Sequence, residues 1–224
     1  MKTVAFIPIK LNNERTPGKN IMKFFDGTPL IHFVQKKLLD VRGIDQIYCY
    51  CSNPKIEDYL LDGVMYFERT AKLDTKETRC NDIIKAFTND VEADIYIMAH
   101  ATSPFVTSAH IQECLDAVKS GQYDSAYAAV RMQNFIWYKE KPLNFDISNN
   151  LRTQDMEPIF CELSTPFVFT KEAYKTYGGR TGKKPYRCEC STIEGIDIDY
   201  PEDFELANVV YKEIIKGDKS KNEC

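Results

Sequence analysis

The sequence contains no run approaching the roughly 18 apolar residues that a membrane span requires. The apolar stretch at its start, MKTVAFIPIK, is too short for a secretory signal. The expectation is a cytoplasmic chain that engages no membrane. Charge of one sign is also scarce: the formal net charge is only −4, which argues against a broad nucleic-acid surface, so anions are bound locally if at all. No CxxC pair is present. The eight cysteines, Cys49, Cys51, Cys80, Cys114, Cys161, Cys188, Cys190 and Cys224, therefore read as reduced thiols, mostly core fillers. The i, i+2 spacing of Cys49/Cys51 and Cys188/Cys190 puts each pair on one face of a strand, a packing pattern more often than a metal pattern. No base partner for a catalytic cysteine is evident. The chain also lacks GxxxxGK[ST] and GxGxxG, so neither a Walker loop nor a dinucleotide-binding turn is expected. Internal repeats, low-complexity segments and linkers are missing as well.

What is present is enough apolar content, 43% of 224 residues, for one sizeable core, and the chain reads as a single domain over 1–224. Short β-branched or aromatic runs alternate with segments of helical period, the pattern of an α/β fold with a mostly parallel sheet covered by helices. Strands are expected at 3–8, 45–51, 64–67, 94–99, 124–130 and 166–170, and helices at 29–41, 54–62, 77–88, 108–120 and 201–216. Segment 131–163 fits neither template and reads as an excursion from the sheet. The charged tail after 215 reads as frayed.

Three loops carry candidate chemistry at the carboxyl edge of such a sheet, where ligands of open α/β folds collect. The first, PIKLNNERTPGKN over 8–20, offers Lys10, Arg15 and Lys19 with Asn12, Asn13, Asn20 and Gly18. Cations and close backbone N–H groups suit a polyphosphate, although a solvated surface loop has the same composition. The second, His100-Ala101-Thr102-Ser103-Pro104-Phe105, has hydroxyls that can bond a base or ribose, and is equally a helix-start signal. The third runs from Gly195 to Asp203 as GIDIDYPED. Asp197 and Asp199 lie at i, i+2, so both carboxylates point to one side and could hold Mg²⁺ against a triphosphate. The plainer alternative is that one caps the following helix while the other is solvated. A phosphate loop and a carboxylate pair belong together in nucleotidyl transfer. Phe135, Trp137 and Tyr138 read as interface or core aromatics, and His32 and His110 as structural or exposed.

The stretch Ile7-Pro8-Ile9-Lys10, continued by Arg15-Thr16-Pro17-Gly18-Lys19-Asn20, resembles the nucleotide-binding signature of the sugar-acid cytidylyltransferases, the CMP-sialic acid (acylneuraminate) and CMP-Kdo synthetases. ATSPFVT at 101–107 is similar to the PTSPLRT of the sialic-acid branch, and GIDIDYPED to its IDIDTPED. Arg69, followed by Leu73 and Thr78, sits where the family has RPxxLA…T. The matches keep family order over about 4–207. The resemblance implies a Rossmann-like (GT-A-like) nucleotidyltransferase fold, a three-layer sandwich, with CTP and Mg²⁺ as co-substrate and cofactor. It implies transfer of CMP to a sugar acid for surface polysaccharide, with release of pyrophosphate. It also implies a homodimer with 131–163 as dimerisation and acceptor element. By position, Lys10, Asn12, Asn13, Arg15, Lys19, Asn20, Arg69, Asn81 and His100 would bind nucleotide, with Arg15, Lys19 and Asp199 catalytic. Thr102, Ser103 and Gln154 would meet the acceptor, and Asp197 and Asp199 the metal.

Three positions depart from the family pattern. Lys10 replaces the family's first arginine, keeping charge without bidentate geometry. Ser-Lys-Gly becomes Asn13-Glu14-Arg15, a spacing closer to the Kdo branch. The sialic-acid branch has an arginine before an NGAIY-like strand that meets the sugar carboxylate; here no Lys or Arg lies between Arg152 and Lys171. The nucleotide half reads as retained and the acceptor half as altered. Kdo or a small phosphorylated polyol is thus an alternative acceptor. A non-catalytic nucleotide-binding relative is a further alternative, disfavoured by two same-side carboxylates.

Overall fold

A computed structural model describes residues 1–217; the rest of the predicted frayed tail, with Cys224, lies outside the described residues. The strands are β1 (Thr3–Ile9), β2 (Gln46–Cys51), β3 (Val64–Glu68), β4 (Ile95–Met98), β5 (Ser125–Met132), the hairpin β6 (Trp137–Tyr138) and β7 (Lys141–Pro142), β8 (Ile159–Thr170) and β9 (Pro185–Cys190). The α-helices are α1 (Leu30–Leu39), α2 (Cys80–Asp90), α3 (Ser108–Lys119), α4 (Lys171–Tyr177) and α5 (Pro201–Val210), the last continued by a π-helical stretch, Tyr211–Lys216. Seven strands form one sheet in the order β3-β2-β1-β4-β8-β5-β9. All neighbours are parallel except that β8 runs antiparallel to both β4 and β5.

Alternation along β1 builds the three layers. Ala5, Ile7 and Ile9 face one side and pack with Ile31, Val34 and Leu38 of α1 and with Ile111, Leu115 and Val118 of α3. Val4 and Phe6 face the other side and meet Ile84 and Phe87 of α2, with Phe6 and Phe87 stacked at 4.1 Å. A third cluster, around Phe24, Phe33, Phe105 and Phe204, fastens α5 against the edge of α1. Hydroxyls start two of the helices: Thr107 accepts from the His110 N–H ahead of α3, and Thr170 from the Ala173 N–H ahead of α4.

The expected three-layer, mostly parallel α/β architecture is what the chain adopts, with local differences. The helix expected at 54–62 is a tighter 3₁₀ stretch, Pro54–Tyr59. Strand β8 begins at Ile159 rather than 166, and α4 and β9 were not anticipated. Edge strand β9 buries Cys188 and Cys190 while Arg187 and Glu189 face water; its period-2 signal is real but follows Lys183-Lys184-Pro185, which reads as loop. Among the described residues no helix is long and apolar enough to cross a membrane.

Pairing between β5 and β8 is broken once. Tyr127 opposes Phe167 and Ala129 opposes Glu162, so two steps on β5 span five on β8. Residues 163–166 are the surplus, and Pro166, which has no N–H to offer a ladder, falls within them.

Phe87 is fully buried. Phe87→Ala is expected to cost about 3–5 kcal/mol in urea unfolding, whereas Leu206→Ala, 56% exposed on α5, should stay within about 0.5 kcal/mol.

Candidate active site

The loop that leaves β1 turns at Gly18, whose φ of 70° lies in the left-handed region that glycine adopts without strain. That turn sends Lys19 and Asn20 inward, and both are buried. A buried ammonium needs partners. Lys19 Nζ donates to the Ile198 carbonyl at 2.7 Å and to Asp199 Oδ1 at 2.9 Å. Arg15 reaches the same carboxylate from the solvent side with both prongs, Nη1 to Oδ2 at 2.8 Å and Nη2 to Oδ1 at 3.0 Å. Thr16 Oγ1 adds a bond to the Asp199 carbonyl at 2.9 Å. Burial alone would raise the Asp199 carboxyl, but the hydrogen bond and charge of Lys19, followed by Arg15, hold it below the ordinary carboxylate range. Asn20 braces the loop by donating to the Lys10 carbonyl at 2.8 Å.

The acidic segment is held from both ends. The Ile198 N–H donates to the Thr102 carbonyl at 2.9 Å, tying the 195–203 loop to the loop after β4. Asp203 Oδ2 accepts from the Asp199 and Tyr200 N–H groups at 2.9 and 2.8 Å. The start of α5 is thus capped by Asp203, and neither Asp197 nor Asp199 is consumed as a cap. Asp197 accepts from Ser164 Oγ at 3.1 Å and Ser103 Oγ at 3.5 Å.

The surplus residues of β8 have a use here. Besides presenting Ser164 to Asp197, they bring Thr165 to His100: Thr165 Oγ1 accepts from the His100 N–H at 2.7 Å and donates to its carbonyl at 3.0 Å. His100 Nε2 is buried with no hydrogen-bond partner among the described residues. Burial, with the nearby charge of Arg180, lowers the imidazole to about 4, so it is neutral near pH 7. Arg69 is 2% exposed, bonded through Nη2 to Asp74 Oδ1 at 2.5 Å and lying 5.7 Å from the Tyr50 ring centre.

Lys10, Asn13, Arg15, Lys19, Asn20, Arg69, His100, Thr102, Asp197 and Asp199 all line one cleft of about 390 Å³ at the carboxyl edge. Ser103 is buried behind Asp197. Asn12, Asn81 and Gln154 are exposed and lie outside the lining. Gln154 sits in the 133–158 excursion, where its carbonyl accepts from Gln133 at 3.4 Å. Ser164, Thr165 and Asp74 escaped the sequence reading; the only signal for the first two is the polar Ser-Thr-Pro break inside an apolar strand. The lining is a dense alternation of cations, carboxylates, amides and hydroxyls, suited to a multiply charged anion and a divalent cation.

A family model described as cytidylyltransferase matches residues 4–218. The chain belongs to the cytidylyltransferase family. It is 26% identical over 209 residues to the N-acylneuraminate cytidylyltransferase of Oncorhynchus mykiss, covering 88% of this chain and 48% of that protein. It is 25% identical over 119 residues to the 3-deoxy-manno-octulosonate cytidylyltransferase of Escherichia coli, covering 53% of this chain and 46% of that one. The chain thus spans about half the length of the curated relatives it matches. Among solved structures, a CMP:2-keto-3-deoxy-manno-octonic acid synthetase complexed with CTP superimposes with a TM-score of 0.70 at 15% identity, over 95% of this chain and 99% of the other. That likeness places the family's sheet and layers on the Rossmann-like nucleotidyltransferase fold.

Removing the Asp203 cap tests how the acidic segment is set. Asp203→Ala is expected to lower stability by about 1 kcal/mol in thermal or urea unfolding. Asp203→Asn, which keeps an acceptor oxygen, should restore at least half of the loss.

Proposed function

We propose that this chain transfers CMP from CTP to a sugar acid, sialic acid or a related nonulosonate, releasing pyrophosphate. The observation that carries the proposal is the single cleft that gathers Lys10, Arg15 and Lys19 from the first loop opposite Asp197 and Asp199 from the last. The acceptor hydroxyl attacks the α-phosphorus, the new O–P bond forms, and the bond to the β-phosphate oxygen breaks with pyrophosphate as leaving group. Such a displacement needs positioning and charge neutralisation rather than a covalent enzyme intermediate.

Lys10, Arg15 and Lys19 would face the triphosphate, Asn13 and Asn20 would hold the loop around it, and neutral His100 with Arg69 would border the nucleotide. The carboxylate pair fits a hard divalent cation. Asp197 is held by two hydroxyls that share its oxygens readily, and Asp199 already carries two positive groups at the place a cation would take. Arg15, with a side chain 54% exposed, is free to exchange the carboxylate for phosphate. Asp197 and Asp199 would hold Mg²⁺, which when bound neutralises charge developing on the phosphates. Asp199 is the base that would take the acceptor proton. Thr102 and Ser103 border the acceptor side.

The Kdo reading is kept alongside because of the 3-deoxy-manno-octulosonate relative and the cation-free stretch 153–170. A homodimer, with CTP and acceptor drawn from the cytoplasm, completes the proposal. Its support is the 133–158 excursion, which exposes Trp137, Tyr138, Leu143, Ile147 and Leu151, each more than half accessible. Large apolar side chains exposed along one such segment suit a contact surface.

Pyrophosphate release with CTP, Mg²⁺ and a panel of sialic, legionaminic, pseudaminic and Kdo sugars and phosphorylated polyols is the direct test. Turnover with a nonulosonate supports the proposal, a Kdo or polyol product moves it to the alternative, and a blank panel sinks it. CTP should be preferred to purine triphosphates, and Asp199→Ala should reduce turnover on the order of 10²–10³-fold. In light scattering, the wild type is expected to behave as a dimer and Trp137→Glu combined with Ile147→Glu as a monomer.

A further inference from the structure

Outside the lining of the cleft, the cysteines that read as core fillers fall into two different settings. Cys49 and Cys51 lie inside β2, and Cys49 is pushed up beyond the ordinary thiol range by burial. Cys188 and Cys190 lie inside β9, also at i, i+2, but α3 brings His110 against them. Cys190 Sγ is 3.5 Å from His110 Nδ1, and a ring nitrogen of His110 and the Sγ atoms of Cys188 and Cys190 all lie within 4.8 Å of one another. Cys114, one helical turn after His110, neighbours Cys188.

We propose that His110, Cys188 and Cys190 form a binding site for a zinc ion, with Glu194 at its border. The geometry is close to what tetrahedral zinc requires. With Zn–S of about 2.3 Å and Zn–N of about 2.0 Å, a tetrahedral S···N edge is about 3.5 Å, the separation found between Cys190 and His110. Two thiols and an imidazole are a borderline-soft donor set, which selects Zn²⁺ over the hard cations suited to carboxylates. Cys114, on the face of α3 that also carries His110, packs beside Cys188 and so holds that sulfur next to the imidazole. Glu194 is 5% exposed and fixed by the Ser191 and Thr107 N–H groups at 3.0 and 3.1 Å, while its Oε1 lies 2.6 Å from His110 Nδ1. It is therefore placed to close the fourth position, its oxygen exchanging the hydrogen bond to Nδ1 for the ion. On binding, both thiol protons leave to solvent, and the imidazole ligates as its neutral Nε2–H form, a proton on Nδ1 being released from the charged ring or transferred to Nε2 in the neutral one. The imidazole side chain is 29% exposed, which gives the ion a way in.

Such an ion would fasten α3 to β9 and to the 191–199 segment, without entering the cleft described above. The inference does not depend on the nucleotide reading. The test is titration of the reduced, metal-stripped protein with Co²⁺ as a spectroscopic probe. Expected are one cobalt per chain, a sulfur-to-cobalt charge-transfer band with the visible bands of tetrahedral cobalt, and loss of all of them on adding Zn²⁺. Cys190→Ser should abolish the charge-transfer band or halve it, Cys49→Ser should leave it intact, and Glu194→Gln should weaken zinc by about 10- to 100-fold. Should the variants fail to fold, alkylation of the wild type followed by peptide mapping gives an independent measurement: zinc should protect Cys188 and Cys190 and leave the rate at Cys161 unchanged. Cobalt spectra without a thiolate band, an unaltered band in Cys190→Ser, or equal alkylation with and without zinc would each overturn the proposal.

Discussion

An ammonium group withdrawn from water has to be paired, and the pairing of Lys19 joins the beginning of the chain to its end. Its two acceptors, Asp199 and the Ile198 carbonyl, lie about 180 residues away in sequence. Neither partner is comfortable alone: an unpaired buried lysine is costly, and a carboxylate moved from water is likewise raised in energy. Held together they fix the first loop against the segment that precedes α5, and Arg15 and Thr16 reinforce the contact from the outer side. The cleft has its shape because these two loops cannot separate without stranding a charge.

The same long range explains which parts of the site were legible in sequence. Loop 8–20 and the Asp197/Asp199 pair announce themselves by residue type and spacing, and both line the cleft. That Lys19 and Arg15 converge on Asp199 is not written locally in either segment. Capping is a subtler case. The sequence allowed one of the two aspartates to cap α5, and it is Asp203, three residues after Tyr200, that does so. Among the elements, β1 to β5 follow their apolar runs. The early half of β8 was hidden because Cys161-Glu162 and Ser164-Thr165 interrupt its apolar pattern, and β9 because an edge strand needs only one buried face. Placing Asn81 and Gln154 required knowing how helix α2 and the excursion turn, which periodicity does not convey, and both side chains are exposed.

His100 illustrates how fold and electrostatics cooperate. Its backbone is locked by Thr165 on both sides, its ring is half-buried with Nε2 out of reach of solvent, and the charge of Arg180 adds to the effect of burial. An imidazole kept neutral by its surroundings offers the same hydrogen-bonding face across the whole physiological pH range. It therefore behaves as a fixed polar wall rather than as a switch.

The reversed direction of β8 has a consequence for how this architecture tolerates change. Because β5 ends at Met132 and β8 begins opposite it at Ile159, the whole stretch 133–158 departs and returns at the same rim of the sheet. Lengthening, shortening or rewriting that stretch leaves the registers of the seven-stranded sheet intact while altering what stands at that rim. The molecule is in this sense divided into a sheet that fixes the joint and a rim insertion that can vary, and none of the partners of Lys19 or Asp199 comes from that insertion.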